Sequence, residues 1–196
     1  MAPLSLRDRI TALIEEEAAA GPRGRIVMKL NSIVDDEIID ALYAASQAGV
    51  QIDLIVRSIS CLRPGVPGLS ENIRVRSIVG RYLEHSRIFA FGDGDDRTVR
   101  YFIGSADMME RNLDRRVEVV VPVEAPELQD RLREILEVNM VDDTNAWSLG
   151  ADGRWTRAAP GGELSAQRRL QELATERSRP GKDVDATSAT RRISPS

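Results

Sequence analysis

The sequence has almost no cysteine and almost no histidine, and each shortage narrows what the protein can be. With Cys61 as its one cysteine, the chain can form no internal disulfide and no cysteine-cluster metal site. Long hydrophobic runs are missing too. The most continuous, Val117–Val123, is far shorter than the ~20 apolar residues needed to span a bilayer. The opening stretch Met1–Asp8 carries no apolar segment of the secretory kind. These absences predict a cytoplasmic protein with no membrane partner. The apolar share of 42% is ordinary for a globular fold, and 196 residues hold one domain with extensions or two small ones.

Charge is unevenly spread. Residues 57–116 hold eleven arginines, no lysine and eight acidic residues, and are the one net basic stretch of a chain whose net charge is −4. Arginine presents a planar fork suited to phosphate or carboxylate. These side chains therefore either bind phosphate or pair with nearby acids.

Hydrophobic spacing predicts the elements. Leu6, Ile10, Leu13 and Ile14 mark a helix over Leu4–Ala20, with Ser5 as a candidate cap, and Gly21-Pro22 ends it. Arg25–Leu30 reads as a strand, Asp36–Ala48 as a helix closed by Gly49, and Val50–Arg57 as a second strand. That strand–helix–strand unit implies an α/β fold with a mostly parallel sheet flanked by helices. Cys61–Asn72 reads as a loop and Ile73–Val79 as a strand. Ile88–Phe91 and Val99–Ile103 form a hairpin around Gly92–Asp96, a solvated tip with no metal role. Val117–Val123 is expected at the centre of the sheet. Pro126–Met140 is a helix, and Trp147 and Trp155 are expected to anchor the C-terminal segment by packing. A domain over residues 1–157 and a polar tail over 158–196, helical across Glu163–Arg177 and disordered from Ser178, complete the chain. No internal repeat is present.

The one histidine, His85, lies in Tyr82-Leu83-Glu84-His85-Ser86-Arg87, and Gly104-Ser105-Ala106-Asp107 comes after the next strand. This resembles the HxK…GSxN signature of the phospholipase D type, with Arg87 in place of lysine, Gly92 where an aspartate is expected and Asp107 in place of asparagine. Longer stretches are more specific. Leu54–Arg57, Cys61–Arg87, Ile103–Glu118 and Met28–Ser32 resemble bacterial polyphosphate kinases, and the likeness runs from about Leu4 to about Arg157. The matching part of that family is the last of its four domains, a phospholipase-D-like domain.

The resemblance implies an enzyme that moves the terminal phosphoryl group of ATP reversibly onto inorganic polyphosphate through a phosphohistidine, with magnesium. It implies that Arg57 and His85 contact the nucleotide phosphates, His85 as the catalytic candidate. The phosphorylated histidine and the magnesium-associated arginines belong to the preceding domain. This chain, whose one histidine is already assigned, is then a split or truncated form that is inactive alone. Its expected partners are ATP or ADP, polyphosphate, and either the upstream domains or further copies of itself, without nucleic acid. A stand-alone polyphosphate- or nucleotide-binding module and a phosphodiesterase are the alternatives.

The physical roles rest on chemistry. Phosphoryl transfer is mainly positioning and charge stabilisation. Arg57, ending a strand, stands where open α/β sheets bind ligands. His85 can donate to a phosphate oxygen or act as acid toward the leaving oxygen. Arg63, Arg74 and Arg76 give the intervening segment a composition suited to a phosphate chain. Arg87, Arg115 and Arg116 are further phosphate candidates, with ion pairs to Glu84, Asp114 or Glu118 as the alternative. Lys29 and Asn31 can reach the same place from the first strand. Ser105 is either a phosphate donor or a turn residue.

Overall fold

A computed structural model describes residues 6–92, 98–157 and 161–179. The elements are α1 (Leu6–Ala20), β1 (Arg25–Leu30), α2 (Asp36–Gln47), β2 (Gln51–Val56), β3 (Ile73–Ile78), β4 (Arg87–Phe91) and β5 (Arg100–Gly104). After these come α3 (Glu110–Asp114), β6 (Val120–Val123), α4 (Pro126–Met140), β7 (Ala146–Leu149), β8 (Trp155–Arg157) and α5 (Ala166–Ser178). Ser5, most of the Gly92–Asp96 tip and the chain from Pro180 onward lie outside the described residues.

The strands form one sheet in the order β6-β5-β4-β1-β2-β3-β7-β8. The helix-flanked α/β class holds, but the sheet is mixed. Parallel pairing is confined to β1–β2 and β2–β3, and all other neighbours are antiparallel. The two consecutive parallel pairs, β1 to β2 through α2 and β2 to β3 through residues 57–72, each have a connection long enough to cross over.

α2 begins where Asp35 accepts a hydrogen bond from the Ile38 backbone N–H at 3.2 Å, and Asp36 and Glu37 favour the positive helix end. Its apolar stripe, Ile38, Ile39, Leu42 and Ala45, packs with Leu6, Ile10 and Ile14 of α1 on one face of the sheet. Phe91 and Phe102 meet edge-on there, with ring centroids 6.1 Å apart. On the other face, Ile55, Ile88 and Tyr101 pack under Leu136 of α4 and Ala166 of α5. The result is a sheet between two helical layers.

Val117–Val123 departs from expectation. Only Val120–Val123 is strand, and it is the sheet's edge, paired with β5 alone. Val119 and Val121 are exposed, and Val117 is 86% exposed. Pro122, which has no N–H to give a ladder, is tolerated at such an edge. The run is apolar for its own reasons: it borders an open groove lined by Ile103, Val119, Val121, Leu132 and Ile135.

α5 is bonded to the domain rather than trailing from it. Asp142 accepts from the Ala166 backbone N–H at 2.7 Å. Gln167 exchanges hydrogen bonds with the backbone of Tyr82, accepting from N–H at 2.9 Å and donating to C=O at 2.7 Å. The β7–β8 hairpin, which the sequence pattern did not announce, extends the sheet beyond β3. Trp147 lies on β7, and Trp155 is 37% exposed on β8.

Candidate functional site

The carboxyl ends of β1, β2 and β5 and the start of β4 meet at one end of the sheet, because β4 and β5 run antiparallel to each other beside β1. Lys29, Asn31, Arg57, His85, Arg87 and Ser105 all fall at this end. The backbone binds it together: Arg57 N–H donates to the Leu30 carbonyl at 3.2 Å and Ser58 N–H to the Asn31 carbonyl at 2.7 Å. Gly104 allows the approach of β6, since a Cβ there would lie 2.5 Å from the Val119 carbonyl oxygen.

Asp107 is the hub. It is 6% exposed. Its Oδ1 accepts from the backbone N–H of Asn31 at 2.7 Å and of Ser32 at 3.2 Å. Its Oδ2 accepts from Asn31 Nδ2 at 3.1 Å and Arg87 Nη2 at 2.9 Å. Burial alone would push the Asp107 carboxyl up. The bonds from Arg87 and Asn31 outweigh it, so the group lies below the ordinary carboxylate range. Two of the departures from the phospholipase-D-type wording, Arg87 and Asp107, are thus one ion pair. Sequence reasoning missed Asp107 as an organiser, although its standing where asparagine was expected was the signal.

The segment before β4 is held from several sides. Lys29 pairs with Glu84 at 2.8 Å, and Gln167 Nε2 donates to Glu84 at 3.0 Å. Arg87 Nη1 donates to the His85 carbonyl at 2.7 Å. His85 is exposed. Strand alternation sets Lys29 on the α4 side and Arg87 on the α1–α2 side, but both reach this one segment at the sheet's end.

The arginines of the basic stretch divide sharply. Arg74 grips buried Asp53 through two bonds of 2.7 and 2.9 Å. Arg76 donates to the Asn139 carbonyl at 2.9 Å and to that of Met140, capping α4, and burial pulls its guanidinium below the ordinary range. Arg100 pairs with Glu16 and Arg115 with Glu110, each at 2.7 Å. Arg74 and Arg76 thus each have a structural role, Arg74 through Nε and Nη2 and Arg76 through Nη1. Arg63 is exposed beside Gly153, a glycine at φ +80°. Arg115 and Arg116 lie exposed on the loop entering β6. Arg115's partner is Glu110 instead of the acids expected from the sequence.

Arg57 is different. It is half-buried, and its Nε and Nη1 are shut off from solvent without a hydrogen-bond partner. No carboxylate among the described residues pairs with it. Buried polar groups are nearly always satisfied; Arg57 leaves two buried donors unmet, whereas Arg87 leaves only its Nε and is held through both Nη atoms. Ser105 gives its hydroxyl proton to buried Glu118 and accepts from Val119 N–H at 3.2 Å, which makes it a turn lock. Among the described residues no group of three or more His, Cys, Asp or Glu is placed to hold a metal ion. No helix there is long and apolar enough to cross a membrane.

The fold defines the class first. Phospholipase D family member Nuc from Salmonella typhimurium superposes with a TM-score of 0.51 at 18% identity, over 77% of this chain and 90% of that one, so the fold is phospholipase-D-like. Within that class the chain belongs to the polyphosphate kinase C-terminal domain family, whose "Polyphosphate kinase C-terminal domain 2" model matches residues 1–169. Polyphosphate kinase of Synechocystis sp. is 55% identical over 85% of this chain and 23% of its own length. That of Streptomyces coelicolor is 52% identical over 88% of the chain and 23% of its own length. The crystal structure of polyphosphate kinase from Porphyromonas gingivalis superposes with a TM-score of 0.81 at 38% identity, over 88% of this chain and 27% of that one. The chain thus spans about a quarter of the length of the relatives it matches.

Proposed function

We propose that this chain is the phosphate-gripping part of a polyphosphate kinase, binding the terminal phosphates of ATP and of inorganic polyphosphate at Arg57 and His85. The observation that carries the reading is Arg57. A half-buried guanidinium with buried, unpartnered N–H groups at the carboxyl end of two parallel strands is a charge waiting for an anion. A phosphate oxygen would meet those N–H donors with charge-assisted hydrogen bonds. His85 stands at the same sheet end, exposed and able to donate to a second oxygen or to protonate the leaving one.

Carrying a phosphoryl group covalently needs a further nucleophile. His85 is the one histidine of the chain, so the phosphohistidine is supplied by an upstream domain, on a longer polypeptide or a separate one. Magnesium arrives with ATP. Among the described residues no three His, Cys, Asp or Glu side chains are grouped to hold an ion without it. Alone, the chain binds without turnover; with the upstream domains of a relative it transfers.

The test has two arms. Titration calorimetry should detect tripolyphosphate and ATP binding that weakens with salt, and no detectable binding of either would sink the reading. Incubation with ATP, magnesium and a polyphosphate primer should give no chain growth from the pure chain. Robust synthesis would refute the need for an upstream nucleophile.

A further inference from the structure

Asp107 does more than pair with one arginine. Its two oxygens take four donors from two different segments, the end of β1 and the start of β4. With its acceptor sites filled and its charge met by Arg87, the carboxylate has little capacity left for a ligand. What it does hold is the geometry. Arg87 is a fork: Nη2 is fixed on Asp107 at 2.9 Å, and Nη1 on the His85 carbonyl at 2.7 Å. A continuous path therefore runs from the Asp107 carboxylate through one guanidinium to the backbone of His85. The loop bearing Asp107 is itself pinned, since Met108 N–H donates to Ser32 C=O at 3.2 Å and Met108 C=O accepts from Val34 N–H at 2.8 Å.

We propose that Asp107 is a positioning residue for phosphate binding: through Arg87 it sets where the His85 backbone lies, and through Asn31 it sets the floor of the same sheet end. The inference rests on the phosphate-binding reading of Arg57 and His85. Under it, Arg87 is held as a strut and is not a primary ligand contact. A simple charge argument makes the opposite prediction. Removing a carboxylate beside an anion site and freeing an arginine should tighten binding by Coulomb attraction.

His85 makes the test clean, because the chain's one histidine gives one imidazole C2–H resonance in proton NMR. The full chain is titrated with inorganic tripolyphosphate at fixed pH and salt, as wild type, Asp107→Asn and Arg87→Gln. In wild type the His85 signal moves with ligand. In Asp107→Asn the apparent affinity should weaken by roughly tenfold, the worth of one charge-assisted contact, and the His85 shift at saturation should shrink. Arg87→Gln, which leaves Asp107 bonded to Asn31 and Ser32 but cuts the link to His85, should show the same losses. It decides the matter if Asp107→Asn does not fold.

Unchanged or tighter binding in folded Asp107→Asn, or a wild-type His85 response in Arg87→Gln, overturns the positioning role and leaves the phosphate site standing. A wild-type signal that ignores tripolyphosphate overturns the phosphate site, and the positioning role falls with it.

Discussion

Arg57→Met is expected to raise the stability of the ligand-free chain and to weaken phosphate binding, two effects of opposite sign from one substitution. The guanidinium buries Nε and Nη1 with no partner, so the free fold carries their lost hydration. Methionine keeps an unbranched apolar stem for the packing and removes those donors. The relief is about 1–3 kcal/mol, the cost of a buried group left unsatisfied. In a domain of this size each kcal/mol raises Tm by roughly 2–4 °C. Ligand acts the other way. At a tripolyphosphate concentration near 100 Kd, binding stabilises the wild type by about 2.7 kcal/mol. A tenfold to hundredfold loss of affinity would cut that gain to roughly 1.4–0.4 kcal/mol. Scanning calorimetry of wild type and variant, each with and without tripolyphosphate, reads both quantities. A variant that melts lower without ligand and still gains the full ligand shift would refute the reasoning, and would make Arg57 an ordinary structural arginine.

Asp53, 1% exposed and held by Arg25 and Arg74, should behave in the opposite way. Asp53→Asn is expected to cost about 1–3 kcal/mol in urea unfolding while leaving tripolyphosphate affinity within twofold, roughly, of wild type. Asp107, whose carboxyl lies below its ordinary range in the fold, contributes stability present above the unfolded carboxylate value of about 4 and lost as pH falls through the folded one. Urea midpoints measured from neutral pH to strong acid should therefore fall less steeply on the acid side in Asp107→Asn than in wild type. Parallel acid limbs would contradict this. Gln167→Ala removes the three hydrogen bonds that clamp Tyr82 and Glu84, and should expose the peptide bond after Arg81 to trypsin sooner than in wild type. Equal cleavage rates would show that α5 does not secure this segment.

The local elements were legible because each is specified by neighbours in sequence. Arg25–Leu30, the helix at Asp36–Gln47 and Pro126–Met140 follow from hydrophobic spacing and the glycine after α2. Wording alone also led to Arg57 and His85, which the structure sets at the same end of the sheet. Strand order was not legible. Val117–Val123 reads as buried on both faces, but a sequence cannot say which strand stands at an edge, and this one borders a groove instead of a second neighbour. Nor could composition sort the arginines. Arg57, Arg74 and Arg76 are the same side chain in one basic stretch. Partners distant in the chain decide their fates: Asp53 takes Arg74, the end of α4 takes Arg76, and no carboxylate among the described residues meets Arg57. The sequence by itself determined the family, the helices and the chemistry available at the strand ends, since those depend on local pattern. Only the tertiary structure decided which charges cancel and which stay open, because pairing depends on distances across the fold that no spacing encodes.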